Sequence, residues 1–354
     1  MEHKKRNFKE ISISKVYPEG NTDFSSTSDA ISDFTFEFGN PDSYQLTCPI
    51  GYGQYGYVFL GKINHTNEVK AHFRRTKRKK VAIKILKGIG FSKIKKEILI
   101  IKYLQDIPNI LKMYDVIKDD KSQTISLITE YEAPIKGKQL YPLLTIDEIR
   151  HLMFNLLFSL NLVHKKGVIH RDIKPGNLVV RKDRKNLIII DWGLADFYFP
   201  KHHYTTRVST LRYKPPELLL EYPYYDFGID VWGAGIVFGE MLIRYPFFQG
   251  RDDDGMILDV AALCGSEQIT KYAKRYGLEI PETISAQVSK RTPETWNKLS
   301  KLLPPHRGDG DAIDLLKRLL IVDHAERISA KEALQHPFFN SIRSEYERKY
   351  AEYW

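Results

Sequence analysis

From Tyr44 onward, apolar and polar positions alternate in short runs. SYQLTCPI (43–50), YGYVFLGKI (55–63), KKVAIKIL (79–86), ILKMYDVI (110–117) and TISLITEYE (124–132) have the period of two that predicts β-strands. One helical run, SKIKKEILIIKYLQ (92–105), lies among them. After EAPIKGK (132–138) the spacing becomes helical. TIDEIRHLMFNLLFSLNLVHKKG (145–167) opens on Thr145 as N-cap, with Glu148 placed for a capping box, and stops at Gly167. Two strand fragments follow, around GNLVV and LIIID, and then helices to the C-terminus. The polar stretch GNTDFSSTSDAISD (20–33) predicts a loop. No internal repeat is visible. The pattern predicts an α+β protein of two lobes, a small β-rich one and a larger helical one, with a cleft at a hinge near residues 130–137.

A chain of 354 residues suits two such lobes, and its 42% hydrophobic, 12% aromatic and 28% charged composition is that of an ordinary globular protein. The longest apolar helical stretches, LMFNLLFSLNLV (152–163) and WGAGIVFGEMLI (232–243), are too short to cross a bilayer. The N-terminal MEHKKRNFKE has no apolar segment behind it, so no signal peptide and no membrane partner is expected. Cys48 and Cys264 stand far apart and suggest neither a disulfide framework nor a zinc site, as expected of a reducing, intracellular compartment.

The net charge of +10 is unevenly placed. Between Glu68 and Glu97 there is no acidic residue, but Lys70, Arg74, Arg75, Lys77, Arg78, Lys79, Lys80, Lys84, Lys87, Lys93, Lys95 and Lys96 all lie there. These twelve exceed the whole net charge, 12 against 10, so the rest of the chain is slightly acidic. The run reads either as a solvated hairpin loop or as a site for an acidic substrate, an acidic partner, nucleic acid or nuclear import. A nucleic-acid-binding module would rest on residues 70–80 alone.

The chemistry is carried by a series of motifs. GYGQYGYV (51–58) sets Gly51, Gly53 and Gly56 in a G-x-G-x-x-G pattern followed by a strand, so its backbone N–H groups suit phosphates covered by a hairpin. A dinucleotide site would need a helix there. VAIK (81–84) puts Lys84 inside an apolar strand, where its charge needs a partner, and Glu97 is the candidate. The alternative is a strand-edge lysine and a solvated glutamate. In HRDIKPGN (170–177), a base, a cation and an amide, Asp172, Lys174 and Asn177, crowd one turn. Asp191 follows fourteen residues later after an apolar strand, and the two oxygen ligands suit magnesium.

The order GYGQYGYV, VAIK, Glu97, HRDIKPGN, DWG, PPE and DVWGAGIV resembles the eukaryotic protein kinases and covers the chain from about Tyr44 to Phe339. Within them the chain is most similar to the casein kinase II catalytic subunits, through DWGLADFY, EFGNPDSYQL, KIKKEI, VIKDDKSQT, KQLYPLLT, RYPFFQGRD and RYGLEI. SKVYPEGNTD (14–23) resembles that family's N-terminal brace of the activation segment, although FSSTSDAISD lacks its usual aromatic and basic residues. The resemblance implies a bilobal kinase fold with an N-terminal segment over 1–43, a small lobe over 44–132 and a large lobe over 133–354. It implies transfer of the γ-phosphate of ATP to Ser or Thr in acidic contexts, without activating phosphorylation. Asp172 and Lys174 are then catalytic, and Asn177 and Asp191 hold Mg2+. Nucleotide contacts fall to Gly51, Tyr52, Gly53, Gln54, Tyr55, Gly56, Tyr57, Val58, Ala82, Lys84, Glu97, Thr129, Glu130, Glu132, Val179 and Ile190. Acidic substrates fall to Lys93, Lys95, Lys96, Arg207 and Lys214. The family also uses GTP, and its regulatory β subunits form a heterotetramer by docking on the outer small lobe; its expected location is nucleus and cytoplasm.

The chain departs from that family at several points. Leu211 replaces an arginine, with Arg212 next to it; Gly90, Phe91 and Ser92 replace lysines; the hinge reads EYEAP. Thr129 and Ala82 are smaller than the family's residues and enlarge the back of the nucleotide site. Arg171 is a candidate receiver of a phosphate on Tyr204, Thr205 or Thr206. Trp192 is expected to donate its N–H to a backbone carbonyl and so hold Asp191 inward. STLRYKPPELLL looks as much like a cyclin-dependent or MAP-type kinase. A pseudokinase scaffold would be expected to lack one of Lys84, Asp172, Asn177 or Asp191.

Overall fold

A computed structural model describes residues 8–16, 26–53, 56–64, 80–133, 140–244, 246–289, 296 and 310–353. In chain order its main elements are α1 (Thr27–Asp33), β1 (Tyr44–Gly53), β2 (Gly56–Ile63), β3 (Lys80–Leu86), α2 (Phe91–Tyr103), β4 (Met113–Lys118), β5 (Ile125–Glu130), α3 (Ile146–Lys165), β6 (Val168–Ile169), β7 (Leu178–Val180), β8 (Leu187–Ile189), β9 (Asp196–Phe197), α4 (Pro216–Leu219), α5 (Gly228–Ile243) and α6 (Asp253–Cys264). Five more helices among the described residues follow between Ser266 and Lys349. None of the described helices is long and apolar enough to cross a membrane.

All five period-two runs form one antiparallel sheet of order β1-β2-β3-β5-β4, and the helical run beside them is α2. The β-branched residues of β3 and β5 pack as that pattern requires: Val81, Ile83 and Ile128 are buried in a small-lobe core. β3 lies between β2 and β5, with Lys84 opposite Val58 on one side and Leu127 on the other. Lys84 is therefore central, not at an edge. Ala82 lies opposite Thr129 across the same ladder.

The stretch read as a loop, 20–33, is corrected for its second half; 20–25 lie outside the described residues. Ser26 caps α1 by accepting from the Asp29 N–H (3.1 Å). Only Ala30 is fully buried, within the main core. A helix of seven residues with one buried side chain leaves no apolar stripe to detect in the sequence. The basic run also falls mostly outside the described residues, which resume at Lys80.

In the large lobe α3 begins with the expected capping box between Thr145 and Glu148, and the chain leaves it through Gly167 at φ +71°. α3 and α5 are buried along most of their length. Gly233 lets the chain around Ile173 rest on α5, because a Cβ there would stand 2.8 Å from the Ile173 carbonyl oxygen. α4 is tied to the C-terminal part of the large lobe by Glu217 and Arg327, a bidentate pair at 2.7 and 2.9 Å with both side chains fully buried. Arg327 also donates to the carbonyls of Gly228, Ile321 and Val322.

Removing one member of a sealed ion pair leaves the other charged in a dry core. Arg327→Ala is expected to cost on the order of 3–5 kcal/mol, read as a lower midpoint in chemical denaturation. A cost near zero would refute this role.

Candidate active site

Between the lobes lies a cleft of about 700 Å³. Gly51, Tyr52, Gly56, Val58, Ala82 and Lys84 line it from the sheet, with Thr129, Glu130 and Glu132 at the hinge. Asn177, Val179, Ile190 and Asp191 line it from below. Tyr57 is exposed on β2 and is absent from the lining; Gln54 and Tyr55 lie outside the described residues, and Gly53 ends β1. The sequence did not single out Ile50, Ile101, Leu111, Leu127, Tyr131 or Ile188, which also line the cleft. Their period placed them on apolar faces without distinguishing core from cavity wall. Ile101 of α2 and Leu111 line the same cleft as Thr129. The Glu130 N–H is taken by the Lys112 carbonyl (2.8 Å), and the Glu130 carboxylate accepts from the Lys112 N–H (2.9 Å). Glu132 pairs with Arg181 at 3.2 Å.

Lys84 Nζ donates to Glu97 Oε1 (2.7 Å) and Asp191 Oδ1 (2.8 Å). Burial alone would lower the Lys84 pKa; the two carboxylates reverse that and raise it. Asp191 is held below its ordinary value, because Lys84 outweighs the burial that would raise it. Asp191 directly follows Ile190 at the end of β8 and takes φ +62°, a strained conformation for a residue with a Cβ.

The turn from 170 to 177 is built on Asp230, fully buried in α5, whose carboxylate accepts from the N–H groups of His170 and Arg171 (2.8 Å each) and from His164 Nε2 (3.0 Å). His170 accepts the Asp172 N–H at Nδ1 (3.2 Å), so its Nε2 carries the proton and donates to the Ile190 carbonyl (3.1 Å). Asp172 is the focus. Its Oδ2 accepts from Lys174 Nζ (2.7 Å) and Asn177 Nδ2 (3.0 Å), and its Oδ1 from the hydroxyl (2.8 Å) and N–H (2.9 Å) of Thr210. Lys174 Nζ also reaches Thr210 Oγ1 at 2.7 Å. Thr210 was not anticipated; nothing in TLRYK announces a threonine folded back onto the loop.

Asp196 was missed as well. It accepts from Lys96 Nζ (2.9 Å), Arg171 Nη2 (2.9 Å) and Thr27 Oγ1 (3.0 Å). Its burial would raise its pKa, but Arg171 and Lys96 hold it below the ordinary value. Burial pushes Lys96 down despite the pairing. Arg171 donates in addition to the Leu194 carbonyl (2.6 Å) and Tyr225 OH (3.2 Å). The expectation that Arg171 receives an activation-segment phosphate is therefore corrected: a carboxylate of the chain already fills its fork. Tyr204 is buried, its OH donating to the Phe197 carbonyl (2.9 Å). The N-terminal segment reaches the same region through Thr27 and through the Ser14 N–H, which donates to Tyr198 OH (2.8 Å).

Trp192 requires another correction. It is fully buried, but its Nε1–H has no hydrogen-bond partner among the described residues. The indole contributes bulk, edge-on to the His170 ring at 4.6 Å.

The basic residues expected to meet substrate divide into two groups. Lys96 is turned inward to Asp196, and Lys214 Nζ pairs with Asp253 at 2.8 and 3.1 Å. Both charges are already balanced inside the protein. Arg207 and Lys93 are exposed, and Lys95 donates to the Ser32 carbonyl (3.2 Å).

A carboxylate whose folded pKa is depressed stabilises the protein fully above its unfolded value, about pH 4, and loses that contribution as pH falls through the folded value. Asp196→Asn should destabilise the protein at pH 7 by roughly 3–5 kcal/mol. The gap to the parent should narrow as pH falls from 5 to 2, followed by denaturant melts at each pH. A gap that stays constant would contradict the assignment.

The family model described as protein kinase domain matches residues 44–339.

Proposed function

The chain belongs to the protein kinase family, and from that premise we propose that it is a serine/threonine kinase of the casein kinase II kind, acting on acidic sequences without activating phosphorylation. Its family uses ATP and a divalent metal. Asp172 is placed to accept the proton of the substrate hydroxyl and aim its oxygen, with Thr210 fixing one carboxylate oxygen. Lys174 balances charge on the moving phosphoryl group, and Lys84, oriented by Glu97, holds the nucleotide's inner phosphates. Asn177 spends its amide nitrogen on Asp172, at 2.8 and 3.0 Å, which leaves its carbonyl oxygen as a donor. With the Asp191 carboxylate this is a hard-oxygen set that fits Mg2+, and the metal would supply neutralisation of phosphate charge. Val58 and Ala82 would cover the purine from above and Val179 from below, whether of ATP or GTP.

The observation that carries constitutive activity is the filled fork of Arg171. Where a phosphate would otherwise be needed to order the segment, Asp196, Leu194 and Tyr225 already bind it. Acid specificity is supported by the exposed cations Arg207 and Lys93. A regulatory β subunit would meet the outer small lobe, where Leu46 is exposed on β1.

Incubation with labelled ATP, magnesium and an acidic serine peptide tests the activity; preference for basic or proline-directed peptides would refute the specificity. Asp172→Asn is expected to lower phosphotransfer at least about hundredfold while nucleotide affinity persists, and robust turnover by that variant would remove Asp172 from its role. Thr129→Phe should close the rear of the cleft and weaken bulky nucleotide-site inhibitors by about tenfold. Equal affinities in a binding assay would show that position 129 does not guard that space.

A further inference from the structure

The cleft does not end at the residues that suit a nucleotide. It continues past Pro175 and Gly176 to a floor formed by Tyr141, Arg212, Tyr213, Glu240, Arg244 and Pro246. The short helical turn Leu211–Tyr213 sorts neighbouring side chains to opposite sides. Leu211 packs against the main hydrophobic core, and Arg212 is exposed and lines the cleft. Among the described residues no carboxylate lies within ion-pair distance of Arg212, although its charge acts on Glu240 from farther off.

The one acid at this end is sealed. Glu240 is only 6% exposed, and both of its oxygens accept from Tyr213 OH, at 3.2 and 3.0 Å. Burial raises its pKa, opposed by Tyr213 and by the charge of Arg212. The exposed charge that a visiting molecule meets at this end is that of Arg212. Lys214 and Lys96, by contrast, are each within ion-pair distance of a carboxylate of the chain, Asp253 and Asp196.

We propose that this end of the cleft is a separate subsite for a carboxylate side chain of the peptide substrate, with Arg212 as its contacting cation. An exposed guanidinium beside the acceptor position suits a bidentate contact with Asp or Glu. The subsite lies in the cleft itself and is distinct from the surface marked by Arg207. This inference rests on the acid-directed kinase reading above.

The test is a peptide series with one serine and a single aspartate moved along the positions on both sides of it. The parent should show a KM lowered about tenfold at one or two positions. Arg212→Gln should abolish the advantage at those positions only, Arg212→Lys should keep most of it, and Arg212→Glu should favour lysine there; the KM for ATP should hold in all three. If the parent prefers aspartate but Arg212→Gln keeps the same positional pattern, the subsite is refuted and the acid-directed reading survives. If the parent shows no preference for aspartate anywhere, both fall together.

Discussion

A single carboxylate, that of Asp196, keeps the parts of the active site in register. Three donors from three distant segments converge on it: Thr27 from α1, Lys96 from α2 and Arg171 from the catalytic turn. Lys96 precedes Glu97, so fixing one fixes which face of α2 the other presents to Lys84. Lys84 in turn binds Asp191, five residues before Asp196, and the chain of charges closes on itself. Isolated surface pairs of this kind contribute little, but these are largely buried, and each charge would be costly without its neighbour. The contacts are therefore linked: each charge is held in place by the next.

Strain collects at the same place. Arg171 and Asp191 both hold positive φ, at +67° and +62°, and Ser209 beside Thr210 holds +67°. Each such residue costs of order 1–3 kcal/mol and persists only where its surroundings over-determine it. Asp230 does so for Arg171 by taking two successive N–H groups, and Lys84 does so for Asp191. The buried ion pairs and the unfavourable backbone are thus two halves of one arrangement.

Periodicity and capping made most of the fold legible, because they are local. The five strands, α2 and the Thr145–Glu148 box depend on neighbours within a few positions. Glu97 could be named as a candidate partner of Lys84 because a lysine inside an apolar strand demands one, but the second partner, Asp191, was not foreseen. What stayed hidden was long-range. The sequence counts Lys96 and Lys214 as charges but not the carboxylates that neutralise them. α1 hides because one buried alanine makes no stripe. Trp192 invited a hydrogen bond because it has a donor, and only packing shows the indole N–H without an acceptor. Thr210 and Thr27 are ordinary threonines until the fold brings each to an aspartate.

The Lys96–Asp196 pair also has a mechanical meaning. The chain at residues 131–133 joins the lobes covalently, and this ion pair, with Thr27 beside it, fastens them a second time. A hinged box held by a latch as well as its hinge cannot gape freely. Separation of the lobes must stretch the latch, so the small lobe is left chiefly with rocking motions about both fastenings. Any widening of the cleft on that side must first break the Lys96–Asp196 contact.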